Sequence, residues 1–206
     1  GDMARKRQKI IAQLKDEGVF DMQWGLHIPM FCRNIAVISS ETAAGYGDFC
    51  NHLENNEYGF RFSVTLFHAI MQGEKVEDTV INALDEIYRD IDHYDIVVII
   101  RGGGATTDMS GFDTLTLAEN VANFPLPIIT GIGHERDESI IDMVAHTKVK
   151  TPTAAAAFLI DNLAKTLSII DNATESIVTN VRQRLEKENM RIAAMATRIP
   201  MLFSLV

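Results

Sequence analysis

Cysteine is scarce. The 206 residues hold two, Cys32 and Cys50, with no CxxC or Cys/His partner spacing, which excludes a disulfide framework and a zinc-binding cysteine cluster. A reducing compartment fits, and the expected location is cytoplasmic. Positive charge is also in deficit: Lys and Arg number 19 against 28 Asp and Glu, a net charge of -9 and a pI near 5.1. That balance argues against a generic nucleic-acid coat while leaving room for a local positive pocket. The sequence shows neither a signal peptide nor an apolar run long enough to span a bilayer, so no membrane partner is expected. Complete nucleotide-binding signatures are missing as well. After Gly102 and Gly104 the third glycine position of a Rossmann turn is Thr107, and Gly131-x-Gly133 meets Arg136 instead. A Walker loop fails for want of Gly-Lys-Ser. Gly1 in place of an initiator Met, and the apolar ending Leu202 to Val206, read as an excised piece of a longer chain.

Against those absences, hydrophobic content of 47% supports a core for one ordinary domain plus an appendage. The organising stretch is Asp95 to Asp108, DIVVIIRGGGATTD. Ile96 to Ile100 is five β-branched residues, the composition of a strand buried on both faces, and it ends abruptly in Arg101, Gly102, Gly103 and Gly104. Pro127 to Ile132 repeats the arrangement and runs into GIGHERD, so His134 leaves its strand as Arg101 leaves its own.

Residues 4 to 17 carry Arg5, Lys6, Arg7, Lys9 and Lys15 around Ile10, Ile11 and Leu14, one helical face closing at Gly18. Those basic residues read as a solvated helix surface, with contact to a nucleic-acid backbone the less favoured alternative. Asn34 to Ser40 is a short buried strand, followed by a helix to about Asn56 with Asp48 near its start. Phe60 to Phe67 alternates as a third strand, and Glu74 to Ile91 spaces Val76, Val80, Leu84, Ile87 and Ile91 as a crossover helix. Then come the 95–100 strand, a helix from about Asp113 to Asn123, the Pro127 strand and a short helix around Ser139 to Val144. The order β-α-β-α-β-α-β-α predicts an open, mainly parallel α/β sheet flanked by helices. Ligands of such sheets sit outside the carboxyl ends of the strands, where Ser39 to Asp48, Arg101 to Asp108 and Gly131 to Asp142 fall.

From Pro152 the pattern changes. Thr153 suits a helix cap, and Leu163, Leu167, Ile170, Ile177, Val181, Leu185, Ile192, Met195 and Ile199 follow at steps dominated by three and four, a heptad pattern with a stutter. A helix of about 45 residues is about 70 Å long, more than a small sheet covers, so it should project and pair with another helix. Two shorter helices folding back is the alternative, although no Gly or Pro marks a turn before Pro200. The predicted organisation is 1–33 as N-terminal helix and lead-in, 34–152 as the α/β domain and 153–206 as the long helix.

The chemistry is weighed at the strand exits. Arg101 with the amides of Gly102, Gly103 and Gly104 can clamp phosphate oxygens, or form a glycine-rich turn beside a solvated Arg. Ser39, Ser40 and Thr42 supply hydroxyls where a helix begins, which suits phosphate. His134 with Asp137 is a general acid or base and its orienting carboxylate, or a metal-ligand pair. Asp48 can orient a water or a metal, or only favour its own helix start. Asp137 and Asp142 are metal candidates or helix caps. Mg2+ is permitted and not required.

SSETAAGYGDF, DIVVIIRGGGATTDMSGFD, PIITGIGHERDESIIDMVAHTKVKTPTAAAAFL and the lead-in DEGVFD together resemble the large subunit of exodeoxyribonuclease VII over nearly the whole chain. The resemblance implies hydrolysis of single-stranded DNA from either end to short oligonucleotides, in a cytoplasmic complex with several copies of a small helical subunit. It implies an N-terminal OB-fold that this chain lacks, and a long C-terminal helix on which small subunits dock or through which the chain self-associates. By position it puts the family's catalytic residues on Asp48, Arg101, His134 and Asp137. The departures are Ala105, Thr106, Thr107 and a single Asp108 where the family shows Ser and an acidic pair, and Gly45 and Gly47 in place of bulkier residues. Two other classes compete: a nucleotide or phosphate-binding module without catalysis, and a helical assembly scaffold.

Overall fold

The computed structural model describes residues 2–102, 109–132 and 138–203. Five parallel strands form one sheet in the order β2-β1-β3-β4-β5: β1 (Asn34–Ser39), β2 (Ser63–His68), β3 (Ile96–Ile100), β4 (Ile128–Gly131) and β5 (Thr147–Lys148). Register is set by the apolar runs, with Ile35 facing Ile96 across β1 and β3, and Ile100 facing Gly131 across β3 and β4. Every residue of β3 is buried, as an all-β-branched run covered on both faces requires.

Helices α1 (Asp2–Asp16), α2 (Ala44–Glu54), α3 (Val76–Arg89), α4 (Leu115–Asn123), α5 (Ile140–Val144) and α6 (Pro152–Phe203) complete the fold. Alternation along the strands divides the core into two layers. On one face Ala36, Ile38, Val97, Ile99 and Ile128 meet apolar residues of α1, α3, α4 and α5. On the other, Ile35, Val37, Val98, Ile100 and Ile129 meet Phe49 and Leu53 of α2 and Ala155, Ala156 and Leu159 of α6. Burying a full side chain of this size stabilises by about 1.5–3 kcal/mol, so the central strands carry much of the stability.

The lead-in is stitched to the sheet by one buried amide. Gln23 donates from Nε2 to the carbonyls of Phe124 (2.7 Å) and Leu126 (3.1 Å), and its Oε1 accepts from the Ile128 amide at 2.8 Å. Trp24 Nε1 donates to the Ala145 carbonyl at 3.1 Å. Asp95 serves the other end of the sheet, accepting from the amides of Arg33 (2.8 Å) and Asn34 (2.7 Å) where β1 starts.

Several expectations need correction. Strand β2 begins at Ser63 and not at Phe60, because Asn56 holds both the amide and the carbonyl of Phe60 in a turn at 2.9 and 2.8 Å. Two-residue β5 was too short to announce itself. Within α6 one 18-residue window has mean hydropathy 1.3, enough by length and composition to cross a membrane, contrary to the expectation that no run qualified; a third of it is buried in the protein. Arg7 is not a solvated helix residue either: it is half-buried and ion-paired to Asp113 at 3.3 Å.

The chain divides into two compact units, Gly1–Leu163 and Ala164–Val206. The first holds the sheet, its helices and the opening turns of α6. In the second, Leu167, Ile170, Ile177, Val181, Leu185, Ile192, Met195 and Ile199 are all exposed.

Candidate functional site

The exits of β1 and β3 are locked together by a side chain. Ser39 is fully buried and its Oγ donates to the carbonyl of Ile100 at 2.8 Å, so the hydroxyl expected to meet a phosphate instead joins two strands. Ser40 and Thr42 follow on the surface with their hydroxyls 3.2 Å apart, and the Ala43 amide donates to the Ser40 carbonyl at 3.0 Å. Helix α2 then starts at Ala44 with no side-chain hydrogen bond capping it, and the Tyr46 amide of its first turn donates to the Ala43 carbonyl at 3.0 Å.

Arg101 emerges where β3 ends. Its Nη1 lies 2.9 Å from Met109 Sδ, and burial lowers its pKa because the charged guanidinium is partly stripped of water. The backbone around it is pressed onto α2. A Cβ on Gly102 would stand 3.0 Å from Ala43 Cβ, and one on Gly45 would stand 2.9 Å from the Arg101 carbonyl oxygen. Small residues in the first turn of α2 therefore let the helix start touch the arginine turn. Asp48 is exposed three residues beyond Gly45, on an adjoining face of the helix.

Strand β4 exits at Gly131, whose carbonyl accepts from the Arg101 amide at 3.4 Å. His134 and Asp137, with Gly103 and Gly104, lie outside the described residues. Beyond them Ser139 and Asp142 form a capping box on α5. Asp142 Oδ2 accepts from the Ser139 amide (2.9 Å) and hydroxyl (2.7 Å), and Ser139 Oγ accepts from the Asp142 amide (3.3 Å). The cap considered for Asp142 is formed; the residue is 4% exposed, and its Oδ1 is buried without a hydrogen-bond partner among the described residues. Among the described residues no group of three His, Cys, Asp or Glu side chains is arranged to hold a metal ion.

Ser40, Thr42, Arg101 and Gly102 lie at the neighbouring exits of β1 and β3, Asp48 is exposed in the second turn of α2, and Ser39 and Asp142 are buried. Asp113 was missed, having been read only as the start of a helix; its Oδ1 accepts from the Ile140 amide at 2.7 Å. A charged residue after the apolar Gly111-Phe112 pair was the available signal, and its partner amide lies 27 residues away.

In open parallel α/β sheets ligands bind outside the carboxyl edge, which is where Arg101, Gly102 and the start of α2 lie in this fold. The family model described as "Exonuclease VII, large subunit" matches residues 19–205, and the chain belongs to that family. Among its relatives are proteins named "Exodeoxyribonuclease 7 large subunit". That of Cyanothece sp. (strain PCC 7425 / ATCC 29141) is 34% identical over 90% of this chain and 43% of its own length. That of Nostoc sp. (strain PCC 7120 / SAG 25.82 / UTEX 2576) is 35% identical over 80% and 39%. That of Clostridium botulinum (strain Loch Maree / Type A3) is 33% identical over 94% and 49%. The chain therefore spans less than half the length of these curated relatives.

Proposed function

We propose that this chain is the nuclease portion of an exonuclease VII large subunit, hydrolysing phosphodiester bonds of single-stranded DNA from either end to short oligonucleotides in the cytoplasm. The observation that carries the reading is the junction of Arg101 and Gly102 with the start of α2, in a chain of this family. An anionic linkage at that edge would meet the Arg101 guanidinium and the backbone of Gly102.

Water attacks phosphorus, and the bond to the leaving oxygen breaks. Arg101 and the amides of Gly102, Gly103 and Gly104 stabilise the charge that builds on the phosphoryl oxygens, where preorganised donors act most strongly. Burial around Arg101 strengthens this, since a poorly solvated cation interacts more strongly with an anion. His134 accepts the proton of the attacking water or returns one to the leaving oxygen, with Asp137 fixing its ring. Ser40 and Thr42 hold a neighbouring phosphate. Asp48 orients the water. Exposed Asp48 together with Asp137 would hold Mg2+ if the enzyme uses it, and the ion would supply further charge neutralisation and a more acidic water.

In the complete enzyme an OB-fold precedes this piece and small helical subunits dock on the exposed apolar positions of α6. The test is release of short oligonucleotides from labelled single-stranded DNA by the complete two-subunit enzyme, with and without chelator. Arg101→Ala and His134→Ala should each lower turnover about 10²-fold or more while circular dichroism stays unchanged. A His134→Ala enzyme at full rate would overturn the assignment.

A further inference from the structure

Helix α2 and the stretch that leads into β2 enclose a groove of about 480 Å³, a size that suits a small-molecule site. Three aromatic side chains line it, Tyr46 from the first turn of α2 and Phe60 and Phe62 from the lead-in. Buried Leu53 and half-buried Val64 lie on its inner side, and exposed Glu54 and Arg61 on its outer side.

The rings are held before any ligand arrives. The Tyr46 hydroxyl donates to Cys50, one turn further along α2. Asn56 binds the amide and carbonyl of Phe60 at 2.9 and 2.8 Å, and exposed Tyr58 stacks on the Phe60 ring with centroids 5.0 Å apart and planes 9° from parallel. Arg33 fixes the next residue, donating from Nε to the Arg61 carbonyl at 2.8 Å. Fixed flat rings beside apolar residues, with a carboxylate and a guanidinium outside, suit a planar heteroaromatic ring. Its faces would stack, and the donors and acceptors on its edge would meet the charged rim.

The groove also starts where the proposed phosphate site ends. Tyr46 follows Gly45, the residue pressed against Arg101, and from Tyr46 to Glu54 the lining runs about 12 Å along the helix. Local charge sorts backbone from base. Glu54 in the lining and Glu41 close to Tyr46 repel a phosphate, which favours entry of the uncharged bases of a strand over its backbone. We propose that this groove takes one or two unstacked bases of single-stranded DNA, beside the phosphate site proposed at Ser40, Thr42 and Arg101, so that stacking as well as charge grips the strand. The inference deepens the proposed nuclease reading and rests on it.

The complete two-subunit enzyme is prepared with Phe60→Leu and with Phe62→Leu, which keep apolar bulk and lose the flat ring. Rates on labelled single-stranded DNA are corrected for the folded fraction seen in thermal melts. Each substitution should raise KM by about 5-fold to 50-fold, the loss expected when a base gives up its aromatic partner, with kcat within about 3-fold of wild type. A strand with abasic sugars in place of its bases should raise the wild-type KM similarly, and the substitutions should add little on that strand, because ring and base act as one pair. A second measurement needs only wild-type enzyme and no turnover. A strand carrying 5-iododeoxyuridine and hydrolysis-resistant phosphorothioate linkages, photo-crosslinked and mapped by mass spectrometry, should attach within residues 46–62. Crosslinks confined to other segments, or a wild-type KM in both Phe60→Leu and Phe62→Leu, would overturn the inference. Loss of small-subunit binding in sedimentation velocity by these variants, with no crosslink within 46–62, would make the groove a protein interface and overturn it too. If the wild-type enzyme releases no oligonucleotides, the nuclease reading falls, while the crosslink still decides whether the groove takes a base.

Discussion

Gly45 of α2 lies against Arg101 with no room for a side chain: an added Cβ would approach the Arg101 carbonyl oxygen to 2.9 Å and Pro152 Cγ to 2.7 Å. Gly47, two residues on, has nothing within 4 Å of the same position. The two glycines share one short stretch of sequence, and the structure separates them. One permits a close approach beside the proposed phosphate clamp; the other is an ordinary exposed helix residue.

Substituting each with alanine should therefore have opposite effects. Gly45→Ala should cost about 1–3 kcal/mol through overpacking and reduce turnover by displacing the Arg101 backbone. Gly47→Ala should stabilise by about 0.5–1 kcal/mol, the gain expected when glycine leaves a helix interior. Chemical denaturation of both variants, with rates on single-stranded DNA, makes the comparison.

Ser139→Ala removes half of a capping box and leaves a buried carboxylate that already has one unpartnered oxygen. The expected loss is about 1–3 kcal/mol, at the upper end of cap effects because Asp142 cannot turn to solvent. A denaturation midpoint equal to wild type would show that the cap is energetically idle.

Cys32 is fully buried, and burial, with a smaller effect from Asp95, pushes its thiol from an ordinary 9.0 up to about 12. The folded value exceeds the unfolded one, so the associated stability is intact below pH 9 and is lost as pH rises from about 9 to about 12. Wild-type protein should lose more stability between pH 8 and pH 10.5 than Cys32→Val does. A thiol reagent at pH 8 should modify native Cys32 only on unfolding, with mass spectrometry locating the label.

The exposed apolar row on α6 should matter to assembly and not to the sheet. Ile177→Glu combined with Leu185→Glu should abolish docking of the small subunit in sedimentation velocity while helix content is retained. Retained docking would place that interface elsewhere on the large subunit.

Much of the architecture could be read from composition because β1, β3 and β4 are short apolar stretches rich in Ile and Val and α3 spaces Val76, Val80, Ala83 and Ile87 on its buried face. Local pattern is enough for such elements. It failed at Phe60, where the Asn56 side chain converts an alternating stretch into a turn, and at β5, where two residues show no period. At the site, the turn carrying Arg101 was legible because a strand ending in Arg and glycines is unusual. The duties of Ser39, Asp113 and Arg7 were not, since each is set by a partner 61 or more residues away or, for Asp113, by an amide 27 residues distant as well as by Arg7. A hydroxyl or a guanidinium carries no mark in sequence of whether solvent, ligand or another segment will take its hydrogen bond.

Among the described residues strand β2 pairs with β1 alone, and its six residues, Ser63 to His68, include neither Lys, Asp, Glu nor Pro. One row of its main-chain groups therefore points outward without the charges or breaks that usually discourage another strand from joining. Concentrated on its own, this chain should be limited by edge-to-edge aggregation well before its fold gives way.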